Sequence, residues 1–304
     1  MKPRNIRILG VPLDLGQRRR GVDMGPSALR AARLQASLRG LGHTVEDAGD
    51  LPVVIPETQP EGDNQARFLS EIADVCRAVS QRAGGFLSRD ETPLVIGGDH
   101  SIAIGTAAGV SGELASRNEK LGLLWFDAHA DMNTPETTPS GNIHGMALAA
   151  ITGLGPAALS NLIARSPIVE PAHVALIGVR DIDDAEKANV RDSGIHVFTM
   201  RDIDELGIRV VVERALNVIL RGATGIHVSL DMDFIDPSQA PGVGTPVPGG
   251  VTYREAHLAM ELIADAGCMT SFEVAEVNPI LDTANRTGKL GVELALSVFG
   301  KRIL

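Results

Sequence analysis

Short apolar runs recur along the whole chain and are separated by longer stretches in which apolar residues repeat at helical spacing. Continuous apolar runs of strand length that alternate with helices are typical of a mainly parallel sheet covered on both faces. We therefore predict a three-layer α/β fold. The predicted strands are 6–11, 43–48, 93–96, 121–126, 173–177, 194–198, 225–230 and 269–274.

The stretches between the strands predict helices. The first of them opens with Gly25-Pro26-Ser27, which puts proline in the first turn, where it is tolerated. The predicted helices are 26–38, 65–87, 102–115, 185–192, 210–220, 254–265 and 285–296. Neither a composition break nor a repeat divides the chain, and the Gly/Pro-rich stretch 240–251 lies between a strand and a helix. We therefore expect residues 1–304 to form one domain.

Composition and charge narrow the class of protein. With 44% hydrophobic and 22% charged residues in 304, the chain is globular and neither disordered nor collagen-like. A net charge of −10 disfavours nucleic acid and anionic membrane surfaces as partners, and no apolar stretch is long enough to span a membrane. Cys76 and Cys268 both lie in apolar stretches, so we expect buried thiols and a cytoplasmic protein.

Four predicted strands are followed directly by polar clusters. These clusters are Gly97-Gly98-Asp99-His100-Ser101, Asp127-Ala128-His129-Ala130-Asp131, Asp231-Met232-Asp233 and Glu276-Val277-Asn278-Pro279. Open α/β sheets bind ligands at the carboxyl ends of their strands. Because side chains alternate along an extended segment, we expect Asp127, His129 and Asp131 to share one side, and Asp231 and Asp233 to do the same.

Taken singly, each of these residues has an ordinary explanation, since an aspartate at a strand end commonly caps a turn or helix. Together, two histidines and four aspartates would repel one another unless a cation lay among them. The absence of thiolates favours hard, octahedral ions such as Mn²⁺, and a pair of ions about 3.5–4 Å apart ionises water near neutral pH. The predicted metal ligands are His100, Asp127, His129, Asp131, Asp231 and Asp233.

These motifs resemble those of the ureohydrolases, and Asn133-Thr134-Pro135 with Ser140-Gly141-Asn142-Ile143-His144-Gly145 resemble arginases in particular. The resemblance covers nearly the whole chain. It implies an eight-stranded, arginase/deacetylase-like fold that holds two Mn²⁺ ions, for which Co²⁺ is an alternative. One ion would be bound by His100, Asp127, Asp131 and Asp231, and the other by Asp127, His129, Asp231 and Asp233.

The resemblance also implies an activity, the hydrolysis of L-arginine to L-ornithine and urea by a metal-bridging hydroxide. Asp131 would hold that hydroxide and pass its proton to the leaving amine, which cannot depart unprotonated. His144 would shuttle protons, a role that suits an imidazole, and Glu276 would receive the guanidinium group. A structural histidine and a solvent-facing glutamate are the ordinary alternatives at these two positions.

Recognition of arginine requires hydrogen-bond donors for its α-carboxylate, which agmatine lacks. The loop 133–142 is rich in short donors. The predicted substrate-binding residues are Asn133, Thr138, Ser140, Asn142, Asp183, Glu186 and Thr245. The resemblance implies that Asn133, Thr138 and Ser140 contact the carboxylate and that the two acidic residues contact the α-amino group. Thr245 would be a supporting hydroxyl nearby.

Three other functions remain open at this point. An agmatinase or another guanidino-compound amidinohydrolase would share the metal site and differ in substrate. A deacetylase of related fold would hold one metal ion, and a non-catalytic relative would bind arginine without turnover. The resemblance implies a homo-oligomer, either trimer or hexamer. The basic triplet Arg18-Arg19-Arg20 departs from the family and is either a solvated surface or a subunit contact.

Overall fold

The computed structural model describes residues 2–302 and contains one large sheet. The strands are β1 (Asn5–Val11), β2 (Thr44–Asp50), β3 (Gly62–Asp63), β4 (Ala66–Arg67), β5 (Thr92–Gly97), β6 (Leu121–Phe126), β7 (Val174–Val179), β8 (His196–Thr199), β9 (Gly225–Asp231) and β10 (Met269–Ala275). β3 and β4 form a separate antiparallel hairpin. The other eight strands form the sheet, and each overlaps a predicted strand.

The large sheet is parallel throughout, in the order β2-β1-β5-β10-β9-β6-β7-β8. All eight carboxyl ends therefore lie at one edge. Because β10 is inserted between β5 and β9, the four strands that precede the polar clusters are neighbours in space. The topology thus brings together segments that lie far apart in the sequence.

Both faces of the sheet are buried, which accounts for the uninterrupted apolar runs. Along β6, Leu123 and Trp125 belong to the core on one face, whereas Leu124 and Phe126 belong to the core on the other. All four side chains have no exposed surface. The alternation of side chains thus supplies two cores from one strand.

Within residues 2–302, eleven α-helices cover the two faces. They are α1 (Gly25–Ala31), α2 (Leu34–Gly40), α3 (Leu69–Leu87), α4 (Ile102–Ser116), α5 (Ala147–Ile151), α6 (Ala157–Ser160), α7 (Glu186–Asp192), α8 (Met200–Leu206), α9 (Ile208–Ile219), α10 (Tyr253–Ala266) and α11 (Arg286–Val298). Helices α3 to α7 pack on one face, and α1, α2 and α8 to α11 pack on the other. The predicted three-layer fold is confirmed.

The N-terminal helices differ from the prediction. A single helix over 26–38 is wrong, because Arg33 is left-handed (φ 67°) and separates α1 from α2. The predicted helix 65–87 begins only at Leu69, after the β3–β4 hairpin and the left-handed Phe68 (φ 53°). Hydrophobic spacing continues through such residues, so periodicity could not reveal these breaks. The short helices α5, α6 and α8 were not predicted.

The two cysteines are free, as expected. Cys76 is fully buried in α3, but the expectation of burial was wrong for Cys268, which is only partly buried and lies directly before β10. Between residues 2 and 302, no helix combines the length and the apolar character needed to cross a membrane.

Helices α3 and α4 approach each other through glycines. A Cβ atom at Gly105 would lie 2.6 Å from the carbonyl oxygen of Cys76, and one at Gly109 would lie 2.9 Å from the backbone nitrogen of Gly84 and closer still to the carbonyl of Ser80. The backbones therefore touch where a side chain would separate them. This contact fixes α4, which follows His100, against the rest of its layer.

We expect Gly109→Ala to destabilise the protein by about 1–3 kcal/mol, because its methyl group would overlap backbone atoms of α3. Gly112→Ala is the matched control on the same helix, where the nearest atom to a new Cβ is 3.9 Å away. This control should stabilise the protein by about 0.5–1 kcal/mol, since alanine favours helix. Urea unfolding followed by circular dichroism measures both, and equal shifts would contradict the close packing.

Candidate metal centre and active site

The chain turns sharply at the carboxyl ends of β6 and β9. Asp127 Oδ1 accepts a hydrogen bond from the backbone nitrogen of His129 at 2.7 Å, and Asp231 Oδ1 accepts one from that of Asp233, also at 2.7 Å. These are aspartate turns, in which a side chain bonds the backbone two residues on. The expectation that these residues alternate along extended segments was therefore wrong. The turns, and not strand alternation, bring the side chains together.

One group of metal-compatible atoms surrounds His100, which lies between β5 and α4. His100 Nδ1 is 3.1 Å from Asp127 Oδ2 and 3.2 Å from Asp131 Oδ2. The same nitrogen is 3.3 Å from Asp231 Oδ2. Ligand atoms of His100, Asp127 and Asp231 lie close enough together to hold one ion.

A second group adjoins the first and consists of Asp127, His129 and Asp233. His129 Nδ1 lies 3.4 Å from Asp127 Oδ1 and 3.1 Å from Asp233 Oδ2. The two oxygens of Asp127 thus point to different histidines, as a bridging carboxylate would. The structure places Asp231 in the first group and not in the second, although the sequence analysis expected it in both.

The electrostatics of this cluster call for cations. Burial and neighbouring carboxylates raise the pKa of Asp131 to about 6 and that of Asp231 well above its usual value. Burial alone would lower the pKa of His100 and His129, but the surrounding carboxylates raise both well above the ordinary value. Four carboxylates carry a charge that two divalent cations would balance, so the donor set fits a pair of such ions.

The far side of the His100 ring fixes which nitrogen can bind metal. Ser229 Oγ donates to Glu273 Oε1 at 2.6 Å and lies 2.8 Å from His100 Nε2. Because the hydroxyl hydrogen goes to the carboxylate, the serine oxygen accepts from Nε2–H, which leaves Nδ1 as the lone-pair nitrogen facing Asp127. The ring also stacks on Trp125, with centroids 3.9 Å apart. The orientation and tautomer of His100 thus suit metal binding through Nδ1.

Sequence reasoning missed these supporting residues. Ser229 and Glu273 are fully buried in the middle of apolar strands, and Glu273 also lies 3.2 Å from Nε2 of His227. Trp125 Nε1 donates to Asp127 Oδ2 at 2.9 Å. A polar residue inside an otherwise apolar strand was the available signal, because a buried polar group needs a partner.

Two predicted catalytic residues have a left-handed backbone, Asp131 at φ 52° and Glu276 at φ 64°. This conformation costs non-glycine residues about 1–2 kcal/mol and persists where the surroundings enforce it. At Glu276 the backbone nitrogen is held by the carbonyl of Gly98 at 2.8 Å. The turn directs the carboxylate of Glu276 back towards His100, whose backbone nitrogen donates to its Oε1 at 2.9 Å.

His144 lies beside Glu276. Its Nδ1 is 3.0 Å from Glu276 Oε1. Burial alone would lower the pKa of His144, but the hydrogen bond and charge of Glu276 raise it to about 9. The imidazole is therefore protonated at neutral pH and can donate a proton.

A cavity opens directly onto the cluster. It is lined by His129, Asp131, Asn133, Thr138, Ser140, Asn142, His144, Gly145, Asp181, Asp183, Glu186, Asp231 and Thr245. All seven predicted substrate-binding residues are among them, whereas Glu276 is fully buried behind the wall. Asp181 also lines the cavity and was missed, although it lies two residues from Asp183.

Two of the acidic residues hold the cavity wall in place. Asn133 Nδ2 donates to Asp183 Oδ2 at 2.9 Å, and Glu186 Oε1 accepts from the backbone nitrogen of Met132 at 2.7 Å. Burial, together with the charges of Asp131 and Asp183, raises the pKa of Glu186 to about 7. This carboxylate therefore ionises in the neutral range.

Hydroxyl groups line the opposite part of the wall. Thr138 Oγ1 accepts from the backbone of Gly141 at 3.0 Å, and Ser140 Oγ accepts from that of Asn142 at 3.2 Å. Both hydroxyls use lone pairs for the loop and can donate their hydrogens to a ligand. The side-chain oxygen of Asn142 instead accepts from Arg67 Nη1 at 3.0 Å. Thr245 Oγ1 donates to Asp233 Oδ2 at 3.0 Å and so supports the cluster.

A parallel sheet with a buried cluster of imidazoles and carboxylates at its carboxyl edge defines the class, an α/β enzyme whose active site could hold metal ions. Similarity to known proteins identifies the family within this class. The chain belongs to the arginase family, whose family model matches residues 4–300. The predictions of family and of an enzyme are confirmed.

The relatives cover the full length of the chain. The arginase of Bacillus caldovelox is 50% identical and that of Bacillus subtilis strain 168 is 48% identical, over 100% and 99% of both chains respectively. The crystal structure of the Bacillus caldovelox arginase superposes with a TM-score of 0.94 at 49% identity, covering 100% of each chain.

Trp125 is the single tryptophan of the chain and contacts both His100 and Asp127. We expect its fluorescence to change saturably when Mn²⁺ is titrated into metal-free protein. Asp127→Asn should weaken the apparent affinity at least about tenfold, because it removes the charge of the shared carboxylate. The exposed carboxylate variant Asp265→Asn should keep the wild-type curve. The same curve for Asp127→Asn and wild type would contradict a metal site here.

Proposed function

We propose that this protein hydrolyses L-arginine to L-ornithine and urea, and that it depends on manganese. One observation carries the proposal. A single cavity has the His/Asp cluster at one end, and hydroxyl donors and carboxylates suited to an amino acid head group around it. The names of the full-length relatives, all arginases, support the same activity.

The proposed cofactor is a pair of Mn²⁺ ions, with Co²⁺ as the alternative. His100, Asp127, Asp131 and Asp231 would hold one ion, and Asp127, His129, Asp231 and Asp233 the other. The chemistry of the donor set supports a pair of such ions, since it mixes imidazole with carboxylate and contains no thiolate, although the structure groups Asp231 only with His100 and Asp127. When bound, two such ions would supply ionised water as a nucleophile near neutral pH.

The chain's own residues would orient the substrate and move protons. Glu276, held by His100 and Gln17, would receive the guanidinium group and align its carbon with the metal cluster. Asp131 would take the proton released in the attack and pass it to the leaving amine. His144, with a pKa raised to about 9, is the second proton source at the same cavity.

The head group of arginine would bind at the cavity wall. Asn133, Thr138 and Ser140 would donate to its α-carboxylate, and Asp183 and Glu186 would attract its α-ammonium group. Agmatine would leave the carboxylate donors unpaired, which is costly in a half-buried site. This arrangement favours an arginase over an agmatinase.

Some broader features remain proposals as well. We propose that residues 1–304 act as one catalytic domain, because strands from residue 5 to residue 275 share one sheet. We also propose a cytoplasmic homo-oligomer, a trimer or a hexamer. The free cysteines support a reducing compartment.

Urea release from the metal-free and the reconstituted protein tests the activity. We expect turnover of L-arginine with Mn²⁺, none after chelation, and a kcat/KM for agmatine at least about 100-fold lower. Ser140→Ala should lower kcat/KM for L-arginine about tenfold and leave that for agmatine unchanged. Equal turnover of both substrates would indicate a broader amidinohydrolase. Binding of L-arginine without urea release would indicate a non-catalytic relative.

The ionisation of Glu186 predicts a pH dependence of head-group binding. Since burial raises its pKa to about 7, this carboxylate gains charge between pH 6 and 8, while the α-ammonium group of L-ornithine stays cationic. The inhibition constant of L-ornithine should therefore fall about tenfold over this range. Glu186→Gln should abolish that change. If the inhibition constant of the variant depended on pH as it does in the wild type, Glu186 would not be the group that ionises.

A further inference from the structure

The loop after β1 brings a buried amide to the guanidinium end of the site. Gln17 is only 4% exposed, and its Nε2 donates to Glu276 Oε2 at 2.8 Å. Because a carboxylate can only accept, the nitrogen must face Glu276, and the orientation of the amide is fixed. The carbonyl oxygen Oε1 of Gln17 is buried and has no hydrogen-bond partner in the described part of the chain. Such an orphaned acceptor calls for an explanation.

Glu276 has little capacity left for a ligand. Its Oε1 accepts from the backbone of His100 and from His144, and its Oε2 accepts from Gln17. A carboxylate has about four lone-pair positions, so three are occupied and one, on Oε2, remains. A guanidinium group presents several N–H donors in one plane and needs more than one acceptor.

Gly244 packs against both residues, beside the cavity-lining Thr245. A Cβ atom at this position would lie 2.5 Å from Gln17 Oε1 and 3.4 Å from Glu276 Oε2. The orphaned amide oxygen and the open carboxylate oxygen therefore lie next to each other, on the same side of Gly244. Glycine is needed there, because any side chain would displace the amide of Gln17.

We propose that Gln17 binds the guanidinium group together with Glu276, its nitrogen holding the carboxylate and its oxygen accepting an N–H from the substrate. This inference rests on the proposed function and deepens it. The amide oxygen adds an uncharged acceptor next to the charged one. Two adjacent acceptors suit the fork of a guanidinium group better than a single oxygen does.

The basic triplet of the sequence analysis holds this loop in place. Arg19 Nη1 donates to the carbonyl oxygen of Gly244 at 2.7 Å, and Arg20 pairs with the buried carboxylate of Asp14. Asp14 also accepts from the backbone nitrogen of Gly21 at 2.9 Å. Two of the three arginines thus make contacts within the chain, and only Arg18 extends from the loop with no such contact described. Gln17 is therefore presented by a loop tied down on both sides.

Binding of two related ligands separates a role at the guanidinium end of the site from a general loss of structure. Gln17→Met keeps the size of the side chain and removes both hydrogen bonds, and Gln17→Asn keeps the amide but shortens its reach. In the Mn²⁺-loaded protein both should lower kcat/KM for L-arginine about 10- to 100-fold. The inhibition constant of L-ornithine, which lacks the guanidinium group, and the manganese content should stay within about twofold.

Two further variants sharpen the experiment. Gly244→Ala should cause the same selective loss, because its methyl group would displace the amide oxygen of Gln17. Ser111→Ala is the control, since Ser111 lies on α4 away from the site and its hydroxyl donates a buried hydrogen bond to the carbonyl oxygen of Ile168. This variant should change neither kcat/KM for L-arginine nor the inhibition constant of L-ornithine. An unchanged kcat/KM in both Gln17 variants, or an equal loss for L-ornithine, would overturn the proposal.

Urea release by the wild-type protein tests the proposed function separately from the role of Gln17. If it releases no urea, the proposed function fails, and calorimetry of L-arginine and L-ornithine on the same Mn²⁺-loaded proteins then decides the role of Gln17. A loss of affinity confined to L-arginine in the Gln17 variants would support that role. Equal affinities in variants and wild type would overturn it.

Discussion

The active site depends on one electrostatic constraint, the burial of four carboxylates at a single edge of the sheet. Such a cluster is stable only when positive charge lies among its members. Within the protein itself the imidazoles of His100 and His129 supply this positive charge, because the neighbouring carboxylates raise their pKa values. The rigid parallel sheet keeps the carboxylates from moving apart. The same repulsion that makes the cluster costly makes it a strong receptor for divalent cations.

Residues that are not predicted metal ligands also hold the cluster in this arrangement. The hydrogen bond from Ser229 to Glu273 decides the tautomer of His100, so a carboxylate in the interior of the sheet controls an atom at its edge. The left-handed turn at Glu276 is held by Gly98, directly after the neighbouring strand β5, which offsets the local strain. The geometry of the site therefore depends on the sheet together with the hydrogen-bonded turns at its edge.

Much of this arrangement could be predicted from the sequence, because burial on both faces leaves apolar runs whose polar continuations mark the sheet edge. The eight strands follow from that pattern, and so does the approach of the six predicted ligands to one another. Other features depend on contacts distant in sequence or on single dihedral angles. The break at Arg33, the turns after Asp127 and Asp231, and the left-handed Asp131 carry no periodic signal. The acceptors of Ser229 and Gln17 lie 44 and 259 residues away, so their partners had to be seen in space.

The position of β10 affects how the sheet can form during synthesis. This strand is the last of the sheet to be synthesised, yet it lies in the centre, between β5 and β9. Until it emerges from the ribosome, β5 and β9 lack the neighbour that they share in the sheet, and unpaired strand edges are prone to wrong pairing. The sheet can be completed only once β10 is available, so the strand ends that carry the polar clusters come together late in synthesis.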